Sequence, residues 1–159
     1  VTKRYEEQFQ VQIPVIVAGG IFDHADIEHA LALGADGVQI ASRFVATDEC
    51  DASDTYKQAY IHAKKEDIQI VQSPVGMPGR ALRNSFIQKV SIEKQPITKC
   101  FGCLEKCKPA EVPYCITKAL IDAVKGNIED GLVFVGDNVD RIKEIVSVHT
   151  LMQELQGLV

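Results

Sequence analysis

The chain has 159 residues, of which 46% are apolar and 25% are charged, a composition that excludes a disordered protein and predicts a soluble globular one with a real core. Its net charge of −5 argues against nucleic acid and against an anionic membrane surface as partners, because both attract proteins with a positive field. No apolar run approaches the roughly 20 residues needed to cross a bilayer, so we expect no membrane span and a cytoplasmic protein.

The first predicted unit combines two strands and a helix. Residues 15–18 are consecutively apolar and end at Gly19-Gly20, a pattern typical of a parallel strand covered on both faces. Asp23 can cap a helix from about His24 to Leu33. Residues 38–41 are β-prone and predict a second strand. We therefore expect a strand–helix–strand unit with a right-handed crossover, as in α/β folds.

Beyond this unit, the pattern predicts mainly helices. Residues 73–79 are punctuated by glycine and proline and predict a loop that could cover a site. The pattern leaves the type of residues 81–90 open, and residues 131–136 form a small apolar patch. The predicted helices span residues 54–64, 116–125, 139–145 and 148–155, and a third strand is predicted at 68–72.

The two strand ends carry the pattern of a phosphate site. Gly19 and Gly20 would let a phosphate approach the backbone closely, and Ala41-Ser42 would supply amides and a hydroxyl from the neighbouring strand. In (β/α)8 barrels, the loops after strands 7 and 8 commonly build such a site. The glycine pair by itself is equally compatible with a tight turn, and the second strand end at βαβ spacing favours phosphate.

Residues 13–50 closely resemble a known family. Residues 13–21, 30–39 and 43–47 resemble the nitronate monooxygenase (formerly 2-nitropropane dioxygenase) family in register, and residues 73–84 continue the resemblance like the family's lid. That family includes the flavin-dependent enoyl-ACP reductase II enzymes. The resemblance implies an α/β fold, the C-terminal part of a (β/α)8 TIM barrel. It divides the chain into C-terminal strands of the FMN-binding barrel (1–50), a lid segment (51–95) and a Cys-containing helical tail packing back on the barrel (96–159).

The same resemblance implies FMN as the cofactor. The residues implied to hold its phosphate are Gly19, Gly20, Ala41 and Ser42, with Ala18 and Gln39 close by. The family usually has Gly-Thr where this chain has Ala41-Ser42. Ser42 keeps the hydroxyl, but the Ala41 side chain slightly narrows the space through which a phosphate would approach the backbone. The family's catalytic histidine lies in a Gly-Gly-His segment that this chain does not contain. No catalytic residue is therefore nominated.

Other side chains near these strand ends keep alternative interpretations. His24 follows the glycine turn and could reach a ligand, although a solvated histidine at a helix N-terminus is the simpler interpretation. Arg43 could pair with a phosphate or could brace a neighbouring carboxylate. Tyr56 and Lys57 on the following predicted helix are expected to be solvated or at a rim.

Four of the five cysteines lie close together in sequence. The spacing of Cys100, Cys103, Cys107 and Cys115 would let four soft ligands converge on zinc or on an iron–sulfur cluster. The alternative is that they are small packing residues and unlinked thiols, as Cys50 is expected to be.

Three functions are compatible with these features. The first is an FMN enzyme that oxidises a nitronate or a related carbanion with O2. The second is an NAD(P)H-dependent enoyl-ACP reductase II, which would share a small-molecule substrate with the first. The third is a catalytically incomplete fragment or a metal-binding interaction module. Because the chain opens on Val1 and holds only two barrel-type strands, we expect it to need a missing N-terminal barrel half or a second chain, and to be inactive alone.

Overall fold

The computed structural model describes residues 2–105 and 107–159. The helices are α1 (Thr2–Phe9), α2 (His24–Ala32), α3 (Ser42–Val45), α4 (Asp54–His62), α5 (Ser85–Ile92), α6 (Ile116–Val124) and α7 (Val148–Leu155). The strands are β1 (Ile16–Ala18), β2 (Gly37–Gln39), β3 (Ile68–Gln72) and β4 (Pro78–Leu82), with single 3-10 turns at Lys65–Asp67, Ile128–Asp130 and Val139–Arg141. No helix in the described ranges is long and apolar enough to cross a membrane.

The predicted strand–helix–strand unit is confirmed. Strands β1 and β2 pair in parallel, and α2 crosses between them. Helix α2 begins where predicted because Asp23 and Asp26 form a capping box, in which each side chain accepts a hydrogen bond from the other residue's backbone. The expectation that β1 is covered on both faces is wrong for these residues, since Ile16 and Ala18 are exposed. Within the described residues, β1 and β2 pair with no other strand.

The loop predicted at residues 73–79 is shorter than expected. Residues 73–77 connect the two strands of a hairpin, β3 and β4, and residues 78 and 79 already belong to β4. Strand β4 pairs antiparallel with β3, with Pro78 opposite Gln72. Proline is tolerated as the first residue of a strand. The segment 81–90, left open by the sequence, contains the end of β4 and then α5, which is capped by Asn84 through a 2.9 Å bond from the Ile87 amide.

The core is organised by the apolar patch at residues 131–136. It runs extended beside β4, with a 2.9 Å hydrogen bond from the Leu82 amide to the Val133 carbonyl. Because side chains alternate along extended chain, Leu132 packs into the cluster under the hairpin, α5 and α6, whereas Val133 and Val135 pack into the cluster around α4. The patch is therefore the wall that both clusters share.

Several predictions beyond the strand–helix–strand unit are wrong. The helix expected at 139–145 is one 3-10 turn, because Ile142 adopts an extended conformation and the chain then bridges Thr47 through Val146. Lys57, expected at the surface, is 5% exposed and donates from Nζ to the Thr47 and Asp48 carbonyls at 2.7 and 3.2 Å. Tyr56 beside it is also buried. The tail is helical only in α6 and α7, because the described part of the cysteine segment contains no helix.

Candidate functional site

The carboxyl ends of β1 and β2 lie side by side because the two strands are parallel. Ligands of α/β proteins bind at this edge of the sheet. A cavity of about 320 Å³ opens there, lined from the two strand ends and from the chain around residues 134–139. Its lining includes all six residues that the sequence assigned to a flavin site, namely Ala18, Gly19, Gly20, Gln39, Ala41 and Ser42.

The glycine turn leaves bare backbone on the cavity wall. Gly19 and Gly20 have φ angles of +86° and +79°, a region that costs other residues roughly 1–2 kcal/mol. A Cβ atom on either residue would meet no other atom within 4 Å. The pair is therefore set by backbone conformation rather than by crowding, and the space in front of it is open to a ligand.

Ser42 faces the same cavity with its hydroxyl oriented by a neighbour. Its Oγ accepts a 2.8 Å hydrogen bond from the Gly136 amide. An oxygen that already accepts from one side keeps its own proton free to donate elsewhere. Ser42 can therefore act as a hydrogen-bond donor to an anionic group in the cavity.

Residues that were not predicted from the sequence close this cavity from the C-terminal side. Gly136, Asp137 and Asn138 all line it, and Asn138 Nδ2 donates to the Gly20 carbonyl at 3.0 Å. That contact ties the glycine turn to the tail. A signal for part of this segment was present, because the apolar run at residues 132–135 ends at Gly136 as the run of β1 ends at Gly19.

Asp137 brings a negative charge to the cavity rim, where it would oppose an anionic ligand. The carboxylate pairs with Lys65 Nζ at 3.0 Å and with Arg80 Nε at 3.3 Å. Hydrogen bonding and charge from Lys65, with the charge of Arg80, hold the pKa of Asp137 below its ordinary value. The carboxylate is thus ionised at neutral pH, but two cations offset its charge.

Arg43 braces a carboxylate, which was one of its two interpretations. Its guanidinium forms an ion pair with Glu154, donates to the Phe22 carbonyl at 3.1 Å and stacks 4.5 Å from the Phe22 ring centroid. Arg141 covers the same ring at 4.1 Å. Both arginines contact the ring of Phe22, which follows the glycine turn. Arg141 lies in the tail and Arg43 pairs with Glu154 of the tail, so these contacts connect the turn to the tail.

Groups with acid–base chemistry are scarce in the cavity. His24, expected to be solvated or near a ligand, is instead half-buried, contacts the Leu155 carbonyl through Nδ1 at 3.0 Å and does not line the cavity. No histidine is among the described residues that line the cavity. Tyr60 does line it, but its hydroxyl donates to the Phe134 carbonyl at 2.6 Å and burial raises its pKa far above neutrality. None of the described residues that line the cavity stands out as a catalytic base.

The metal site expected at the cysteines is not supported. Cys100 and Cys103 are exposed, whereas Cys107 and Cys115 are half-buried, and all four are free thiols. Within residues 2–105 and 107–159, no group of three or more His, Cys, Asp or Glu side chains is arranged to hold a metal ion. Closely spaced cysteines in the sequence are thus not matched by a converging ligand set.

The fold and cavity define an α/β protein in which parallel strands end at a glycine-lined, ligand-sized cavity. A family model described as "Nitronate monooxygenase" matches residues 6–157. The chain therefore belongs to the nitronate monooxygenase family, a family of flavin-dependent oxidoreductases.

Individual relatives agree with this assignment. The chain is 39% identical to a probable nitronate monooxygenase of Staphylococcus saprophyticus over 82 residues, or 52% of this chain and 23% of that protein. It is 27% identical to a probable nitronate monooxygenase of Bacillus subtilis over 151 residues, or 91% of this chain and 40% of that protein. The chain thus spans less than half the length of these curated relatives.

Solved structures show the same partial coverage. FabK from Thermotoga maritima superposes with a TM-score of 0.72 and 31% identity, over 94% of this chain and 45% of FabK. A nitroalkane oxidase from Streptomyces ansochromogenes superposes with a TM-score of 0.68 and 23% identity, over 94% of this chain and 40% of that one, and shows the fold alone. The chain has the α/β fold of the C-terminal part of these TIM-barrel relatives.

Proposed function

We propose that this chain provides the FMN phosphate site of a nitronate monooxygenase, which oxidises nitronates or related carbanions with O2. The observation that carries the proposal is the bare turn at Gly19-Gly20, facing the same cavity as Ser42 in a chain of this family. A phosphate needs backbone without side chains and well-placed donors. The cavity offers both, so the residues present fit the phosphate end of FMN.

When bound, FMN would supply a two-electron acceptor for the carbanion and a route for those electrons to O2. The chain's own residues would bind and orient it. Gly19 and Gly20 would admit the phosphate, Ser42 would donate its hydroxyl proton, and Asn138 would hold the turn through the Gly20 carbonyl. Val45, Phe134 and Val135 give the cavity apolar walls that would limit water. A nitronate is already deprotonated, so a base would be needed only for a neutral nitroalkane, whose α-proton it would remove, and that base would lie outside this chain.

A second candidate is an NAD(P)H-dependent enoyl-ACP reductase. The observation in its favour is the 31% identity to FabK over 94% of this chain. Two assays on the full-length protein separate the candidates: O2 consumption with a nitronate, and NAD(P)H oxidation with a crotonyl thioester. Nitronate-dependent O2 uptake without thioester-dependent NAD(P)H oxidation is expected, and the reverse result would favour the reductase. A full-length protein without a flavin spectrum would instead favour a non-catalytic role.

Gly20→Val should lower the flavin content of the full-length protein and raise the Kd for FMN about tenfold or more, equivalent to roughly 1.4 kcal/mol. The branched side chain would fill the open space in front of the turn, and valine strongly disfavours the φ of +79°. The matched control is Gly34→Val. Gly34 has a φ of +95° and equally open surroundings, but it lies outside this cavity. Equal flavin content in Gly20→Val and wild type would contradict the proposed phosphate site.

Gly136→Ala tests the donor role of Ser42. The new Cβ would lie 2.9 Å from Ser42 Oγ and would push the hydroxyl away from its present position. Losing one hydrogen bond of about 1 kcal/mol should weaken FMN binding about fivefold, as measured by fluorescence titration. Riboflavin, which lacks the phosphate, should bind both proteins equally. An equal loss for both ligands would show that the variant damages the cavity rather than a phosphate contact.

A further inference from the structure

The cysteine loop, residues 96–115, is closed at its base and irregular in its body. The Gln95 amide donates to the Pro113 carbonyl at 2.8 Å, and Lys94 Nζ donates to the Ala110 carbonyl at 3.1 Å. Tyr114 then anchors the end of the loop edge-on against Phe86, with ring centroids 5.0 Å apart. The described part of the loop contains no helix or strand. Its body can therefore change conformation while its base stays attached.

The four thiols of this loop differ in accessibility. Cys100 and Cys103 are exposed, whereas Cys107 and Cys115 are half-buried. Cys115 is also fixed, because its carbonyl accepts the Ala119 amide at 3.1 Å and starts α6. At the exposed pair, the Gly102 amide donates to Cys100 Sγ at 3.4 Å and Gly102 has a φ of +62°. The backbone therefore turns at Gly102, between Cys100 and Cys103, and directs the Gly102 amide at the Cys100 sulfur.

Cys107 is less suited to react than the exposed pair. Its pKa is raised, first by the loss of water around the thiol and then by the thiols of Cys100, Cys103 and Cys115. A raised pKa reduces the fraction of thiolate, which is the nucleophilic form of cysteine. Within the described residues, the thiols form no group of three or more ligands that could hold a metal ion.

We propose that Cys100 and Cys103 are a reversible dithiol–disulfide pair, a modification site separate from the flavin cavity. The two-residue spacing between them is the one used by dithiol–disulfide motifs, and both thiols are exposed to an oxidant. None of the four loop cysteines lines the cavity at the strand ends.

The reaction is a thiol–disulfide exchange with a small disulfide such as oxidised glutathione. The thiolate of one cysteine attacks the oxidant and forms a mixed disulfide, releasing one glutathione thiolate. The second cysteine then displaces the other glutathione and forms the Cys100–Cys103 bond. The two cysteines lose two protons and two electrons, and the electrons reduce the oxidant to two glutathione molecules.

The test uses the full-length protein, equilibrated with oxidised glutathione, alkylated and digested with trypsin. The wild type and the control Cys50→Ser should each lose two alkylatable thiols. The peptide of residues 100–106 should carry no alkyl group, and its mass should be two hydrogens below that of the unmodified dithiol peptide. Cys100→Ser and Cys103→Ser should instead accumulate a mixed disulfide with glutathione on the remaining cysteine. Dithiothreitol should reverse every one of these changes.

Three results would overturn the proposal. The first is a peptide of residues 100–106 that stays fully alkylatable after oxidation. The second is a disulfide that joins Cys107 or Cys115 instead of the exposed pair. The third is stoichiometric zinc or iron in anaerobically prepared protein that is lost in Cys100→Ser and Cys103→Ser, because the thiols would then be metal ligands.

Discussion

Purified by itself, the 159-residue chain is expected to bind far less than one FMN per chain and to show no turnover with nitronates. A closed (β/α)8 barrel takes about 250 residues, whereas the described residues contribute a parallel sheet of two strands. The glycine turn would contact only the phosphate end of the flavin. Pockets for flavin-sized ligands bury most of the ligand surface, and here the walls for the ring system would have to come from other strands.

The same isolated chain is expected to associate. Ile16 on β1 and Leu33 after α2 are exposed, and the edges of the two-stranded sheet are unpaired among the described residues. Flavin titration and light scattering check both expectations. Co-expression with the N-terminal half of a barrel relative should raise flavin content and reduce association. A monomer that binds FMN tightly by itself and oxidises a nitronate would show that the active site lies within this chain.

Among the described glycines, Gly131 should be the one whose replacement by alanine lowers the stability of the fold most. A Cβ at this position would lie 2.5 Å from the Ala123 backbone nitrogen and 2.7 Å from its Cα. Backbone atoms cannot rotate away as a side chain can, and the segment is pinned, since the Leu132 amide donates to the Ala119 carbonyl at 3.0 Å. We expect a loss of about 3 kcal/mol in the free energy of unfolding, the upper end of overpacking effects.

Chemical denaturation of the full-length protein measures this loss, and Gly37→Ala is the matched control. A Cβ on Gly37 would meet only the end of the exposed Ile16 side chain, at 3.1 Å, and that side chain can rotate away. The control should therefore change the free energy of unfolding by less than about 1 kcal/mol. If both variants unfold at the same denaturant concentration, α6 does not press against residue 131 as described.

Local sequence signals predicted the parts of the fold that local contacts build. The strand–helix–strand unit was predictable because Asp23 caps α2, and glycines end both β1 and α2. The strand character of residues 78–82 was not, because it depends on pairing with β3 and on the patch at 131–136. The prediction of a helix at 139–145 was wrong for a similar reason. Ile142 is extended and Val146 pairs with Thr47, a contact that is distant in sequence.

The candidate site was predictable on one side only. Gly19, Gly20 and Ser42 follow strands that the hydrophobic pattern locates, so their shared edge could be deduced from the sequence. The apolar run that ends at Gly136 indicates a further strand end, but no local pattern reports that Gly136 and Asn138 approach this edge from far along the chain. The cysteines show the opposite error, because their spacing suggested a metal site that the backbone does not assemble.

The contacts that hold the glycine turn have a consequence for synthesis on the ribosome. Ser42 meets Gly136 across 94 residues of sequence, Gly20 meets Asn138 across 118, and His24 meets Leu155 across 131. Chains are made from the N-terminus at about 5–20 residues per second, so the turn emerges well before its partners do. The nascent strand–helix–strand unit therefore lacks these three stabilising contacts until the residues that make them have been synthesised. Cofactor capture should accordingly be a late event, one that follows the emergence of α7 from the exit tunnel.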